Sequence, residues 1–284
     1  MIPDQKAFLA EKARQIRCLT VEAIGAFGAG HIGGCLSIAD VLSVLYFDKM
    51  NVDPNDPKKD DRDRLVVSKG HAGPAVYAAL ALKGFFPIDW LQTLNKPGTN
   101  LPSHCDMLRT PGVDMTAGSL GQGISCGVGM AKAAKLRGYG AHVYAIIGDG
   151  ESQEGQVWEA SMAAAHFGLD NLIVFLDKNG FQIDGAVEEV MDVRNSEEKW
   201  ASFGFFTQSV DGHDVEAIAG AVDKAKAEKR RPSMIVLDTV KGKGVKFIED
   251  AKAASHYMPI SKEQMDAALD DLSKNRKKGG NCFG

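Results

Sequence analysis

The chain has 284 residues, 44% hydrophobic and 25% charged, with a formal net charge of −4. That is the composition of an ordinary globular protein with a sizeable core, and it excludes a disordered or fibrous chain. Bases are interleaved with acids until Lys274, Arg276, Lys277 and Lys278, so nucleic acid is not expected as a partner.

The opening MIPDQKAFLAEKARQ has no apolar stretch of signal-peptide length, and no later run is apolar for the length a membrane span needs. A cytoplasmic protein with no membrane contact is expected. The cysteines Cys18, Cys35, Cys105, Cys126 and Cys282 are scattered and never paired as C-x-x-C, which argues for small apolar residues in a reducing compartment.

In chain order, residues 5–24 carry apolar positions at helical spacing, ended by a glycine-rich stretch at 25–34. A second helix is expected over 38–47 with Ser37 as its cap. After the turn-rich NVDPNDPKKDDRDR, a short strand at 65–67 feeds the loop Ser68-Lys69-Gly70-His71. The runs 142–147 and 172–176 are nearly continuous in apolar residues, as in parallel strands covered on both faces, and a helix at 157–167 joins them. A helix at 215–229 and a strand at 234–240 follow. The pattern predicts an α/β fold with a mostly parallel sheet flanked by helices, as one domain over 1–260, followed by a helix at 261–275 and a flexible tail to 284.

Chemistry is expected at the carboxyl ends of the strands, where open parallel sheets bind ligands. Gly148-Asp149-Gly150-Glu151 follows the first strong strand, and Asp177-Lys178-Asn179-Gly180 ends the second. Asp-Gly after a strand is, by itself, ordinary turn chemistry. Oxygen donors at two adjacent strand ends, beside a glycine turn open to phosphate, suit Mg2+ bridging a diphosphate, with Ca2+ or Mn2+ as substitutes. Asp149 and Asn179 are the expected side-chain ligands, and the carbonyl of Phe181 the third.

This pairing resembles the metal-diphosphate motif of the thiamine diphosphate enzymes. GDGESQEGQVWEA is similar to the transketolase version of that motif. Thr116-Ala117-Gly118-Ser119-Leu120-Gly121-Gln122-Gly123 resembles that family's glycine loop over the cofactor, and Gly30-His31 and Ser68-Lys69-Gly70-His71-Ala72 resemble its histidine motifs. The likeness runs over roughly residues 10–260 in one order.

Several roles are implied by the resemblance. Thiamine diphosphate works by losing the C2 proton of its thiazolium ring, and the carbon then attacks a ketose carbonyl. His31, His71, His104 and His256 match positions near that carbon, where imidazoles hold sugar hydroxyls and exchange protons. Gly118, Ser119, Leu120, Gly150, Lys241, His71 and His256 match cofactor contacts. Glu154 and Glu159 match carboxylates at a subunit contact that couples two active sites. The chain departs from the family at Ser103-His104-Cys105, where Gly-His-Pro is usual, and at Tyr257, where glycine commonly follows the histidine. His142, His166 and His213 are expected to be structural, with Asp214 capping a helix.

The expected activity is two-carbon ketol transfer from a ketose phosphate to an aldose phosphate, in sugar metabolism of the pentose phosphate type. The family's pyrimidine-binding half, with the glutamate that activates the aminopyrimidine and the arginines that grip the sugar phosphate, has no match here. A separate subunit is therefore expected to carry it, in a four-chain assembly. The alternatives are the diphosphate-binding subunit of another thiamine enzyme, such as a 1-deoxyxylulose-5-phosphate synthase or a 2-oxo-acid dehydrogenase, and a binding module without chemistry.

Overall fold

The two strong apolar runs form the centre of a five-stranded parallel sheet in the computed structural model, which describes residues 1–274. The strands are β1 (Arg64–Val67), β2 (Val143–Gly148), β3 (Leu172–Lys178), β4 (Phe206–Asp211) and β5 (Ser233–Asp238), in the order β1-β2-β3-β5-β4. Alternation along them divides the interior into two layers. Tyr144, Ile146, Ile173, Phe175, Ile235 and Leu237 face one core, and Val143, Ala145, Ile147, Leu172, Val174 and Leu176 face the other. Burial on both faces is why these strands read as continuous apolar runs.

The first layer is built from α1 (Pro3–Phe27), α2 (Ile32–Leu36), α3 (Ala39–Val44), α4 (Gly73–Lys83) and α7 (Val215–Ala227). The second is built from α5 (Gln122–Leu136) and α6 (Gly155–His166). Strand order advances from β2 to β3 and steps back from β4 to β5. Crossovers of one hand then require the connecting helices, α6 and α7, to lie on opposite faces, as they do.

Helix α1 ends where Gly28 turns left-handed at φ 95°. The helix expected over 38–47 is split: α3 gives way at Leu45 to a π-helical turn, Leu45–Lys49. Ser37 is not its cap, because its hydroxyl is committed to the Gly34 carbonyl and the Asp177 carboxylate. Asp214 does cap α7, accepting the N–H of Glu216. The last described helix, α8 (Lys262–Lys274), buries Ala268 and Leu272 in the first core and packs against α1. The expected tail lies outside the described residues, as does Cys282. Among the described residues no helix is long and apolar enough to cross a membrane, and the other four cysteines are free.

Candidate active site

Register sets the site. Gly148 at the end of β2 pairs with Asp177 near the end of β3, so the residues just beyond, Asp149 and Asn179, emerge side by side. Asp149 Oδ1 accepts the N–H of Asn179 at 3.1 Å, and Oδ2 accepts that of Gly180. Gly180, at φ 79°, makes the turn that a side chain would strain. Asn179 Oδ1 accepts the N–H of Phe181 at 3.2 Å, and the Phe181 carbonyl accepts from Lys241 Nζ at 3.3 Å.

Beneath these groups lies a buried polar layer that sequence reasoning missed. Asp177, fully buried, accepts from Lys69 Nζ at 2.6 Å, Ser37 Oγ at 2.8 Å, Asn179 Nδ2 at 2.8 Å and the Thr239 hydroxyl. Burial works against its charge, but the Lys69 ammonium and the hydroxyl donors outweigh burial and hold it below the usual carboxylate range. Glu151, equally buried, accepts from the Ser68 hydroxyl, from Gly121 N–H at 2.9 Å and from Gly148 N–H at 3.1 Å. It thereby ties the glycine loop to the ends of β1 and β2. The only signal in the sequence was the density of charged residues at strand ends that are otherwise apolar.

Four histidines from four separate segments converge. His31 precedes α2, His71 lies in a single 3-10 turn (Gly70–Ala72), His104 is in a loop, and His256 ends another 3-10 turn (Lys252–His256). Ring centroids are 5.2 Å apart for His31 and His71, 5.5 Å for His31 and His104, and 5.0 Å for His71 and His256. Gly70 permits this, since a Cβ there would meet the Ala117 carbonyl at 2.1 Å. The departures at Cys105 and Tyr257 leave His104 and His256 in the cluster, and the Tyr257 ring packs edge-on to His31 at 4.9 Å. Burial, then the cation at Lys241, lowers His256 to about 4; burial, then His104, does the same for His31. Burial lowers His104 as well and drives His71 well below its ordinary value. All four are neutral at pH 7 and present both donors and acceptors.

The histidines and the strand ends share one cavity of about 350 Å3, whose wall also includes Gly118, Leu120, Gly150 and Glu154. Ser119 is exposed between two of these lining residues, and Glu159 is exposed on α6. Of the histidines expected to be structural, His142 immediately precedes β2 and His166 ends α6. His213 does more than fill a turn, as described below.

The residues present fit a metal diphosphate. Asp149, 4% exposed, is pushed up to about 7 by burial and by Asp177, so its ionised form lacks a cation. Lys241, across the cavity, is pushed down to about 8 by burial and by Lys69, so its ammonium lacks an anion. Mg2+ on the first and a diphosphate on the second would satisfy both. A Cβ at Gly34 would stand 3.7 Å from His71 Nε2, so glycine there keeps the cavity clear. Among the described residues no three His, Cys, Asp or Glu side chains form a metal cluster, which leaves the oxygens of Asp149, Asn179 and Phe181 as the protein's donors.

Comparison with known proteins agrees with this geometry. Residues 9–278 match the family model described as transketolase, thiamine diphosphate binding domain. The 6-deoxy-6-sulfo-D-fructose transketolase subunit SqwG of Clostridium sp. (strain MSTE9) is 54% identical over 95% of this chain and 98% of its own length. One of the two kinds of apulose-4-phosphate transketolase chain, from Phocaeicola vulgatus, is 39% identical over 91% of each sequence. Among solved structures, transketolase from Pichia stipitis in complex with sedoheptulose 7-phosphate superposes with a TM-score of 0.87 at 33% identity, covering 93% of this chain but 41% of that one. The chain thus spans about two fifths of the solved transketolase it resembles and nearly the whole of the two transketolase subunits. From the strand-end motif, the glycine loop and this match along its length, the chain belongs to the transketolase family and carries that family's N-terminal, thiamine diphosphate-binding domain.

Proposed function

We propose that this chain is the diphosphate-binding subunit of a two-chain transketolase, completed by a separate subunit that carries the pyrimidine-binding half. One observation carries the reading: four neutral imidazoles stand in the same cavity as the Asp149–Asn179 pair. Asp149, Asn179 and the Phe181 carbonyl would hold Mg2+. Lys241, Gly118, Ser119, Leu120, Gly150, His71 and His256 would line the cofactor. When bound, thiamine diphosphate supplies the carbon that takes up the two-carbon unit. His31 and His104 would hold the donor's hydroxyls and pass protons, and Glu154, at the cavity rim, would face the contact between subunits.

The names of the two subunits that match this chain end to end support a two-chain enzyme, and the 54% identity favours 6-deoxy-6-sulfo-D-fructose as donor with an aldose phosphate as acceptor. Two copies of each chain would close the assembly around two sites in the cytoplasm. The test combines the purified chain with a candidate partner, Mg2+, thiamine diphosphate, an aldose phosphate and either this sulfonated ketose or fructose 6-phosphate. Two-carbon transfer is expected only with both chains present, and faster from the sulfonated donor. Transfer by this chain alone would overturn the two-chain reading, and equal rates from both donors would overturn the donor assignment.

A further inference from the structure

His213 was expected to be a turn residue, but its imidazole is bonded at both nitrogens. Nε2 accepts the backbone N–H of Val240 at 2.8 Å, which places the ring proton on Nδ1, and Nδ1 donates to Asp40 Oδ2 at 2.8 Å. Asp40, 5% exposed on α3, is paired in turn with Arg17 of α1, whose Nε also donates to the Leu36 carbonyl at 3.2 Å. The end of β4 is thus connected through a buried ion pair to two helices of the first layer.

The bond to Val240 falls at a telling place. The segment 239–242 is anchored at Thr239, whose hydroxyl donates to Asp177, and at Gly242, whose N–H donates to the Gly33 carbonyl at 3.0 Å. Between those anchors stand Val240 and Lys241. Val240 is 41% exposed, so water would serve its N–H adequately and the bond to His213 adds little to folding. What the bond fixes is direction, because the next residue, Lys241, sends its side chain inward to the cavity.

We infer that His213 is a positioning residue for cofactor binding: by holding Val240 N–H it sets the backbone from which Lys241 reaches the diphosphate. The inference rests on the proposed role of Lys241. Without His213 the ammonium samples more orientations, and the diphosphate meets a less organised cation.

The test measures binding of thiamine diphosphate with Mg2+ to the full chain by titration calorimetry, alongside thermal unfolding. His213→Ala should raise the dissociation constant roughly five- to tenfold, as expected for one lost orienting hydrogen bond. His213→Gln, whose amide oxygen can accept from Val240, should stay within about twofold of wild type, whereas the shorter His213→Asn should behave like alanine at a melting temperature equal to that of His213→Gln. In a Lys241→Met background, His213→Ala should add less than about twofold, because its effect acts through Lys241. Wild-type binding by His213→Ala, or an undiminished effect of it in the Lys241→Met background, would overturn the inference. Should His213→Ala fail to fold, equal binding by the Gln and Asn variants would overturn it instead. Normal binding by Lys241→Met with His213 intact would reject the role of Lys241 itself, which distinguishes that failure from a failure of His213.

Discussion

Asp149 Oδ1 accepts the backbone N–H of Asn179 at 3.1 Å, so the residue beyond β2 is bonded directly to the residue beyond β3. The two expected metal ligands are therefore placed by each other as well as by their strands. Asp149→Ala should abolish Mg2+-dependent retention of thiamine diphosphate, because the diphosphate charge loses its counter-ion site. It should also cost about 1–3 kcal/mol of stability, since two backbone N–H groups lose their acceptor. Asp149→Asn separates these effects: it keeps an acceptor but not the charge, so it should lose cofactor while melting nearer to wild type. Unchanged cofactor affinity in either variant would remove Asp149 from the metal site.

His71 is nine-tenths buried and stacks between His31 and His256, with neutrality enforced by burial first and by Lys69 next. His71→Ala should lower turnover of the completed enzyme by roughly a hundredfold or more, the loss typical of a missing proton-transfer group. Its melting temperature should change little by comparison. Normal turnover would make His71 a packing residue.

Much of this was legible in the sequence because the informative residues sit where two signals coincide. The runs that became β2 and β3 are apolar on both faces and end in polar residues, so strand and site were read together. What stayed hidden has physical reasons. Strand β4, FTQSVD, lies at the sheet edge and is half-exposed, so it lacks an apolar run. Helix α5 contains Gly123, Gly127 and Gly129 and resembles a loop. At Gly123, however, a Cβ would stand 2.7 Å from the Ser68 Cα, so glycine there serves close packing. Lys69, Glu151 and Asp177 were invisible as site builders because their partners, Asp177, Ser68 and Ser37 among them, lie far away in the chain.

The histidine cluster carries a pH signature whose sign follows from its lowered values. His256 titrates near 4 in the folded chain and near 6.5 when unfolded, so between those values only the unfolded chain takes up the proton. Its contribution is fully present above pH 6.5 and is lost as pH falls towards 4. Asp149, pushed up to about 7, acts in the opposite direction over much of the same range, so the signature is read as a difference between proteins. Wild type should lose more stability between pH 7 and pH 5 than His256→Asn does, in urea unfolding at each pH. Equal losses would show that His256 titrates normally in the fold.

The Lys69–Asp177 pair, 2% and 0% exposed at the side chains, is the strongest internal constraint on the site. Asp177 anchors Asn179 at 2.8 Å and Ser37 at 2.8 Å, so its charge orients one proposed metal ligand and joins α2 to β3. Lys69→Met keeps the apolar length of the side chain but strands a buried carboxylate, which typically costs about 3–5 kcal/mol. With the ammonium gone, burial acts on Asp177 unopposed and raises its folded value above the unfolded one. A carboxyl raised in this way loses stability as pH climbs through the interval between the two values. The deficit of Lys69→Met should therefore be largest near pH 7.5 and narrow towards pH 5, where Asp177 can be buried as the neutral acid. Cofactor binding should fail at pH 7.5 even in the folded fraction, because Asn179 loses a fixed partner. Urea unfolding at both pH values measures the deficit. A loss below about 1 kcal/mol at pH 7.5 would mean that water reaches Asp177, and that the pair orients nothing.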